Sequence, residues 1–126
     1  MAFGDIGGPV STLIITCKTP DTGDVSLRRG DAVKLTGDYE VINTFAEGDL
    51  VFGQVMADCA GNGAAVPVRV RGVCDFRYSG ETPSVDGISG VAGAVEAGLV
   101  TLSNAANAKG LAVKVDSAAG TVEVLL

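Results

Sequence analysis

Between Val66 and Tyr78 the chain alternates with a period of two. Val68, Val70, Cys74, Phe76 and Tyr78 fall on one face, and Arg69, Arg71, Asp75 and Arg77 on the other. Successive side chains of a strand point to opposite faces, so the pattern predicts a half-buried antiparallel strand. Gly72 sits in its middle and predicts a bulge or a bend. Such a strand needs partners. Val10 to Lys18 is rich in β-branched residues, and Val25 to Leu27, Ala32 to Thr36, Tyr39 to Thr44, Leu50 to Met56 and Leu99 to Leu102 are shorter runs of similar character. In Ala32 to Thr36, Val33 and Leu35 are expected to share a face. Leu111, Val113 and Val115 opposite Val122, Val124 and Leu126 predict a closing hairpin through Ser117-Ala118-Ala119-Gly120.

The punctuation agrees. The chain of 126 residues holds 18 Gly and 18 Val, the composition of short strands joined by tight turns. The expected fold is all-β: a single compact antiparallel β-barrel or β-sandwich over residues 10–126. Residues 1–9 end in Gly-Gly-Pro and lack periodicity, which predicts an extended N-terminal arm. Residues 79–98 are expected to form a Gly-rich loop, and Asp58 to Ala65 a shorter one. Ser103 to Lys109 is the one place where a helical turn fits. Gly30-Asp31-Ala32-Val33 and Gly48-Asp49-Leu50-Val51 form a weak repeat, loosely echoed by Glu96-Ala97-Gly98-Leu99-Val100. Each is expected to be a tight turn feeding a strand, with Asp bonding the turn backbone and Gly taking the unusual φ.

Several chemistries are disfavoured at this level. The chain has no His, which removes Ser-His-Asp triads, Cys-His dyads and imidazole metal ligands. A net charge of −6 argues against nucleic acid as a partner. Cys17, Cys59 and Cys74 are odd in number and widely spaced, so no disulfide framework is expected and a reducing compartment is. No basic-then-apolar leader is read at the N-terminus. Asp86, Glu96 and several glycines break the most apolar stretch, Val85 to Leu102, so no membrane span is expected. Asp21-Thr22-Gly23 spells the motif of aspartic proteases. It follows Lys18-Thr19-Pro20 rather than an apolar strand, and a Pro-Asp-Thr-Gly turn accounts for it. The glycines of Gly87 to Gly93 match no phosphate-binding loop, and no carboxylates have calcium-loop spacing. The expectation is therefore no catalytic residue, no metal, no cofactor and no small-molecule substrate.

The concentrated positive feature is the stripe Arg69, Arg71, Arg77 on one strand face. Two readings fit it: a solvated face, or a docking stripe for an acidic protein surface, where the planar guanidinium suits carboxylates.

Four segments together resemble a known family. They are Gly30-Asp31-Ala32-Val33, Gly48 through Asp58 (GDLVFGQVMAD), Val68-Arg69-Val70-Arg71-Gly72-Val73, and Thr121-Val122-Glu123-Val124-Leu125-Leu126. They resemble the small capsid cement, or decoration, proteins of tailed bacteriophages, over residues 30–78 and 109–126. The resemblance implies a non-enzymatic virion protein, made in the host cytoplasm. It would bind the outer surface of the capsid, commonly as a homotrimer, and clamp neighbouring major capsid protein subunits. It also implies that the arm can add a strand to a capsid subunit. Capsid contacts are accordingly expected at Phe3, Ile6 and Pro9 in the arm and at Arg69, Arg71 and Arg77 in the stripe. Another virion module, such as a head-fibre base or tail component, is the alternative. A carboxylate-based hydrolase such as a dimeric aspartic protease is a more distant one.

Overall fold

The structure, a computed structural model, describes Phe3 and residues 12–126. These form strands and turns without a helix, as the Val/Gly punctuation predicts. The strands are β1 (Leu13–Lys18), β2 (Ser26–Leu27), β3 (Ala32–Gly37), β4 (Glu40–Ile42), β5 (Gly53–Val55), β6 (Cys59–Ala60), β7 (Ala65–Arg71), β8 (Val73–Arg77), β9 (Gly90–Gly93), β10 (Val100–Ser103), β11 (Leu111–Asp116) and β12 (Thr121–Leu125). A closed barrel runs β1-β4-β3-β5-β7. Its pairs are antiparallel except β1 with β4, which meet in parallel at Lys18 and Glu40. Closure leaves the barrel no open edge. A three-stranded sheet, β11-β12-β8, and the pair β10-β9 lie outside it, and β2 pairs with β6.

Two apolar clusters result. Cys17, Leu27, Val33, Val41, Val55, Val66 and Val68 form one. Ala32, Phe45, Val51, Cys74, Phe76, Val91, Val100, Ala112, Val122 and Val124 form the other. Each fully buried Val or Phe contributes about 1.5–3 kcal/mol from removal of apolar surface from water. Strand β3 belongs to both clusters: Ala32 packs into one and its neighbour Val33 into the other. The two faces of one strand thus serve two cores.

Gly72 does more than bulge. Its φ of 110° lies outside the range of other residues, and the chain turns there from barrel strand β7 into β8 of the three-stranded sheet. The long strand expected from Val66 to Tyr78 is therefore two strands. The alternation survives because parity is kept across the corner: Val66, Val68, Cys74 and Phe76 are all buried.

Other expectations need adjustment. Residues 79–98 are not one loop, because Gly90–Gly93 is the fully buried strand β9. Small residues permit that burial: a Cβ at Gly93 would run into the Phe45 side chain. Ser103 to Lys109 holds a single turn, closed by Ala108 N–H to the Ala105 carbonyl at 3.0 Å, and no helix. In β3 Val33 is buried but Leu35 is exposed, with an irregularity between Leu35 and Gly37. In the hairpin a register shift between Ala112 and Lys114 leaves Val113 outside, so Ala112 fills the core position opposite Val124. The loop Asp58 to Ala65 contains β6.

The weak repeat is a repeated turn. Asp31 N–H donates to the Arg28 carbonyl (3.0 Å), while the Asp31 carboxylate accepts from Arg28 N–H (2.9 Å). Asp49 and Ala46 reproduce this pair of bonds at 3.1 and 2.9 Å. In the third copy Leu99 N–H reaches the Glu96 carbonyl at 3.2 Å, without a carboxylate in return. Gly30, Gly48 and Gly98 occupy the same turn position with φ of 92°, 87° and 76°. That conformation is open to Gly at little cost.

Candidate functional site

Two surface features concentrate chemistry that the fold does not consume. The first is a cleft of about 460 Å³ on the seam between barrel and three-stranded sheet. Arg69 enters from β7, Asp75 and Arg77 from β8, Gln54 from β5, Thr121 from β12, and Arg29 from the first of the repeated turns. Gln54 is buried, and its amide nitrogen donates to the Asp75 carbonyl oxygen at 2.7 Å. Arg77 Nη2 donates to the buried Asp31 carboxylate, which also accepts from Asn43 Nδ2 at 2.9 Å. Arg69 Nη1 donates to the Val73 carbonyl at 3.0 Å. Yet the Nε atoms of Arg69 and Arg77 are both buried without a hydrogen-bond partner among the described residues. A buried N–H left unpaired costs about 1–3 kcal/mol. Among the described residues neither Arg29 nor Arg69 forms an ion pair.

The second feature is an apolar face centred on Phe52. Three adjoining grooves share this ring. Leu35 and Tyr39 line the first, Leu35 and Leu50 the second, and Leu13, Ile15, Val70 and Leu126 the third. Tyr39 is 65 % exposed and Leu50 56 %. Lys109 Nζ lies 5.7 Å from the Phe52 ring centroid and donates to the Phe52 carbonyl at 3.1 Å. Its pKa is lowered, first by burial and then by Arg71. At the rim Lys34 Nζ meets Asp49 at 2.7 Å, and that bond, together with Ala46 N–H, holds the Asp49 carboxyl below the usual carboxylate range.

Tyr39 is also strained. Its φ is 55°, the one positive value outside glycine among the described residues. A bulky residue in the left-handed region costs about 1–2 kcal/mol. Strain of this kind clusters at functional positions.

Of the residues the sequence nominated, Arg69 and Arg77 converge in the cleft, as the shared parity predicts. Arg71 does not join them: it lines the groove beside Leu13, Phe52 and Lys109. The corner at Gly72 divides the stripe. Phe3 is exposed, while Ile6 and Pro9, with most of the expected arm, lie outside the described residues. Asp21 stands in an exposed turn, 78 % accessible and 3.9 Å from Lys18 Nζ. That is not the shielded setting in which paired carboxylates share a proton. Among the described residues no group of Cys, Asp and Glu is arranged to hold a metal ion. Burial raises the thiol pKa of Cys17 and pushes that of Cys74 up to about 11, so neither is a ready nucleophile at neutral pH.

Sequence reading missed Arg29, Gln54 and the apolar face. A signal for the face exists: Leu50, Val51 and Phe52 are apolar at consecutive positions, more than one buried strand face requires. No family model matches the chain, and no curated protein matches it.

Proposed function

We propose that the chain is a capsid cement, or decoration, protein of a tailed bacteriophage. In this reading it binds the outer surface of the mature capsid and holds neighbouring major capsid protein subunits together. It acts as a homotrimer without catalysis, made in the host cytoplasm and carried on the virion. The supporting observation is the apolar face around Phe52, with the strained Tyr39 at its border. Contiguous exposed apolar surface marks protein-binding sites, and aromatic anchors such as Tyr and Phe are characteristic of them. The family resemblance adds the capsid as partner. Its segment Gly48 to Asp58 carries Leu50 and Phe52, so the resemblance and the apolar face meet in the same stretch.

The test is incubation with purified expanded capsids followed by co-sedimentation and electron microscopy. Density repeated over the capsid lattice is expected. Density confined to one vertex or to the tail would favour a fibre-base or tail component instead. Leu50→Glu places a charge on the face without touching either core, and is expected to abolish capsid binding while the circular dichroism spectrum stays unchanged. Mass measurement in solution reports whether the free protein is already trimeric.

A further inference from the structure

We propose that the cleft lined by Arg29, Arg69 and Arg77 is a carboxylate-binding site that takes an acidic side chain of a protein partner. Arg69 and Arg77 are among the capsid contacts expected from the resemblance, so the site deepens that reading by naming the chemistry they recognise, but it is argued from the cleft alone and on a different surface from the Phe52 face.

The argument starts from the donors. A guanidinium offers five N–H groups in a fixed fork, and a carboxylate accepts two of them side by side. Arg69 spends Nη1 on the Val73 carbonyl and Arg77 spends Nη2 on Asp31. Their Nε donors are left over and buried. Arg29, an exposed residue whose backbone N–H donates to the Asp58 carboxylate at 2.8 Å, brings a third guanidinium to the cleft. Structural arginines in a protein interior normally satisfy such donors. Here three arginines line one concavity; Arg69 lies between it and the Cys74 thiol, Arg77 between it and Asp31, and the guanidinium N–H groups not engaged there are the donors an anion in the cleft would meet.

Charge selects the anion. Asp75 also lines the cleft, and Asp31 lies behind Arg77. Asp58, which accepts from the Arg29 backbone, is a third carboxylate, so three guanidinium groups stand against three negative ones with no net positive charge to spare. A carboxylate monoanion held by directed N–H donors therefore fits better than a phosphate dianion, which doubles the repulsion from Asp75. The cleft, at about 460 Å³, has room for an Asp or Glu side chain with part of its backbone. Thr121 and Gln54 stand by as polar walls.

The experiment titrates the protein with the peptide acetyl-Glu-Asp-Glu-amide. It is read by the Arg Nε–Hε signals in nitrogen–proton NMR spectra and by calorimetry. The Arg69 and Arg77 Nε–Hε signals are expected to move, and acetyl-Gln-Asn-Gln-amide is expected to leave them in place. Arg29→Gln removes a side chain with no hydrogen bond of its own among the described residues, and should weaken peptide binding about tenfold, the worth of one charge-assisted hydrogen bond. Lys114→Gln, which removes a positive charge outside the cleft, should bind as the parent does. Immobile Nε–Hε signals, equal binding of the amide peptide, or equal losses in Arg29→Gln and Lys114→Gln would each overturn the site. Tighter binding of inorganic phosphate would overturn the choice of carboxylate, and equal binding of free succinate the choice of a protein side chain. Capsid binding is absent from every arm, so failure here leaves the cement reading to its own test.

Discussion

Gln54 of the barrel donates its side-chain amide to the main-chain carbonyl of Asp75 in the three-stranded sheet, at 2.7 Å. Both partners lie on the seam between two sheets that share no strand. Gln54→Leu keeps the volume and removes the donor, leaving the Asp75 carbonyl unpaired. The expected loss is about 1–3 kcal/mol of stability, from an orphaned buried acceptor. Urea unfolding followed by circular dichroism measures it, and a change within about 0.5 kcal/mol would mean that water replaces the amide there.

Acid should find Asp49. The Lys34 ammonium and Ala46 N–H hold its folded pKa below the ordinary 3.8. The unfolded chain therefore takes up the proton first as pH falls. The stabilisation is whole above pH 3.8 and disappears as pH drops through the lower folded value. Asp49→Asn is expected to unfold with a shallower pH dependence below about pH 4 than the parent, in thermal melts at matched salt. Identical profiles would remove this carboxylate from the acid response.

The three thiols should react in order of access. Cys17 and Cys74 are buried with raised pKa values, whereas Cys59 is partly exposed. Since the thiolate is the reacting species, a disulfide-exchange reagent at pH 8 should modify one thiol in the folded protein and three after denaturation. Mass spectrometry of peptides should place the first adduct on Cys59. Early labelling of Cys74 would indicate opening of the cluster around Phe76.

Tyr39→Gly separates stability from binding. Glycine relieves the left-handed strain but adds entropy to the unfolded chain, two effects of similar size. Stability is expected to stay level or rise by up to about 1 kcal/mol. Capsid binding is expected to weaken at least tenfold, as befits loss of an aromatic anchor. Retained binding would place Tyr39 outside the docking face.

The strands were legible because their period is local. Val68, Val70, Cys74 and Phe76 declare a buried face in any context, and so do Val122 and Val124. The turn chemistry of Asp31 and Asp49 was legible for the same reason, as each bonds a residue three positions back. What escaped is set by long-range geometry. A bulge promoted Ala112 over Val113. The corner at Gly72 sent Arg71 to one groove and kept Arg69 with Arg77. Arg29 reached that cleft from a turn 40 residues earlier in sequence than Arg69. Strand β9 hid in Gly-rich sequence because its small residues answer to Phe45 and to the chain at Lys109, not to strand propensity.

Ala32 and Val33 are joined by one peptide bond and belong to different cores. Mechanically, β3 is then a shared wall. A load arriving at Leu35, on the outer end of that wall, passes along the strand into both clusters at once. Neither can yield by sliding while the other holds. Stretched between its two sheets, such a domain should give way in one event rather than in stages, the behaviour of a rivet and not of a spring.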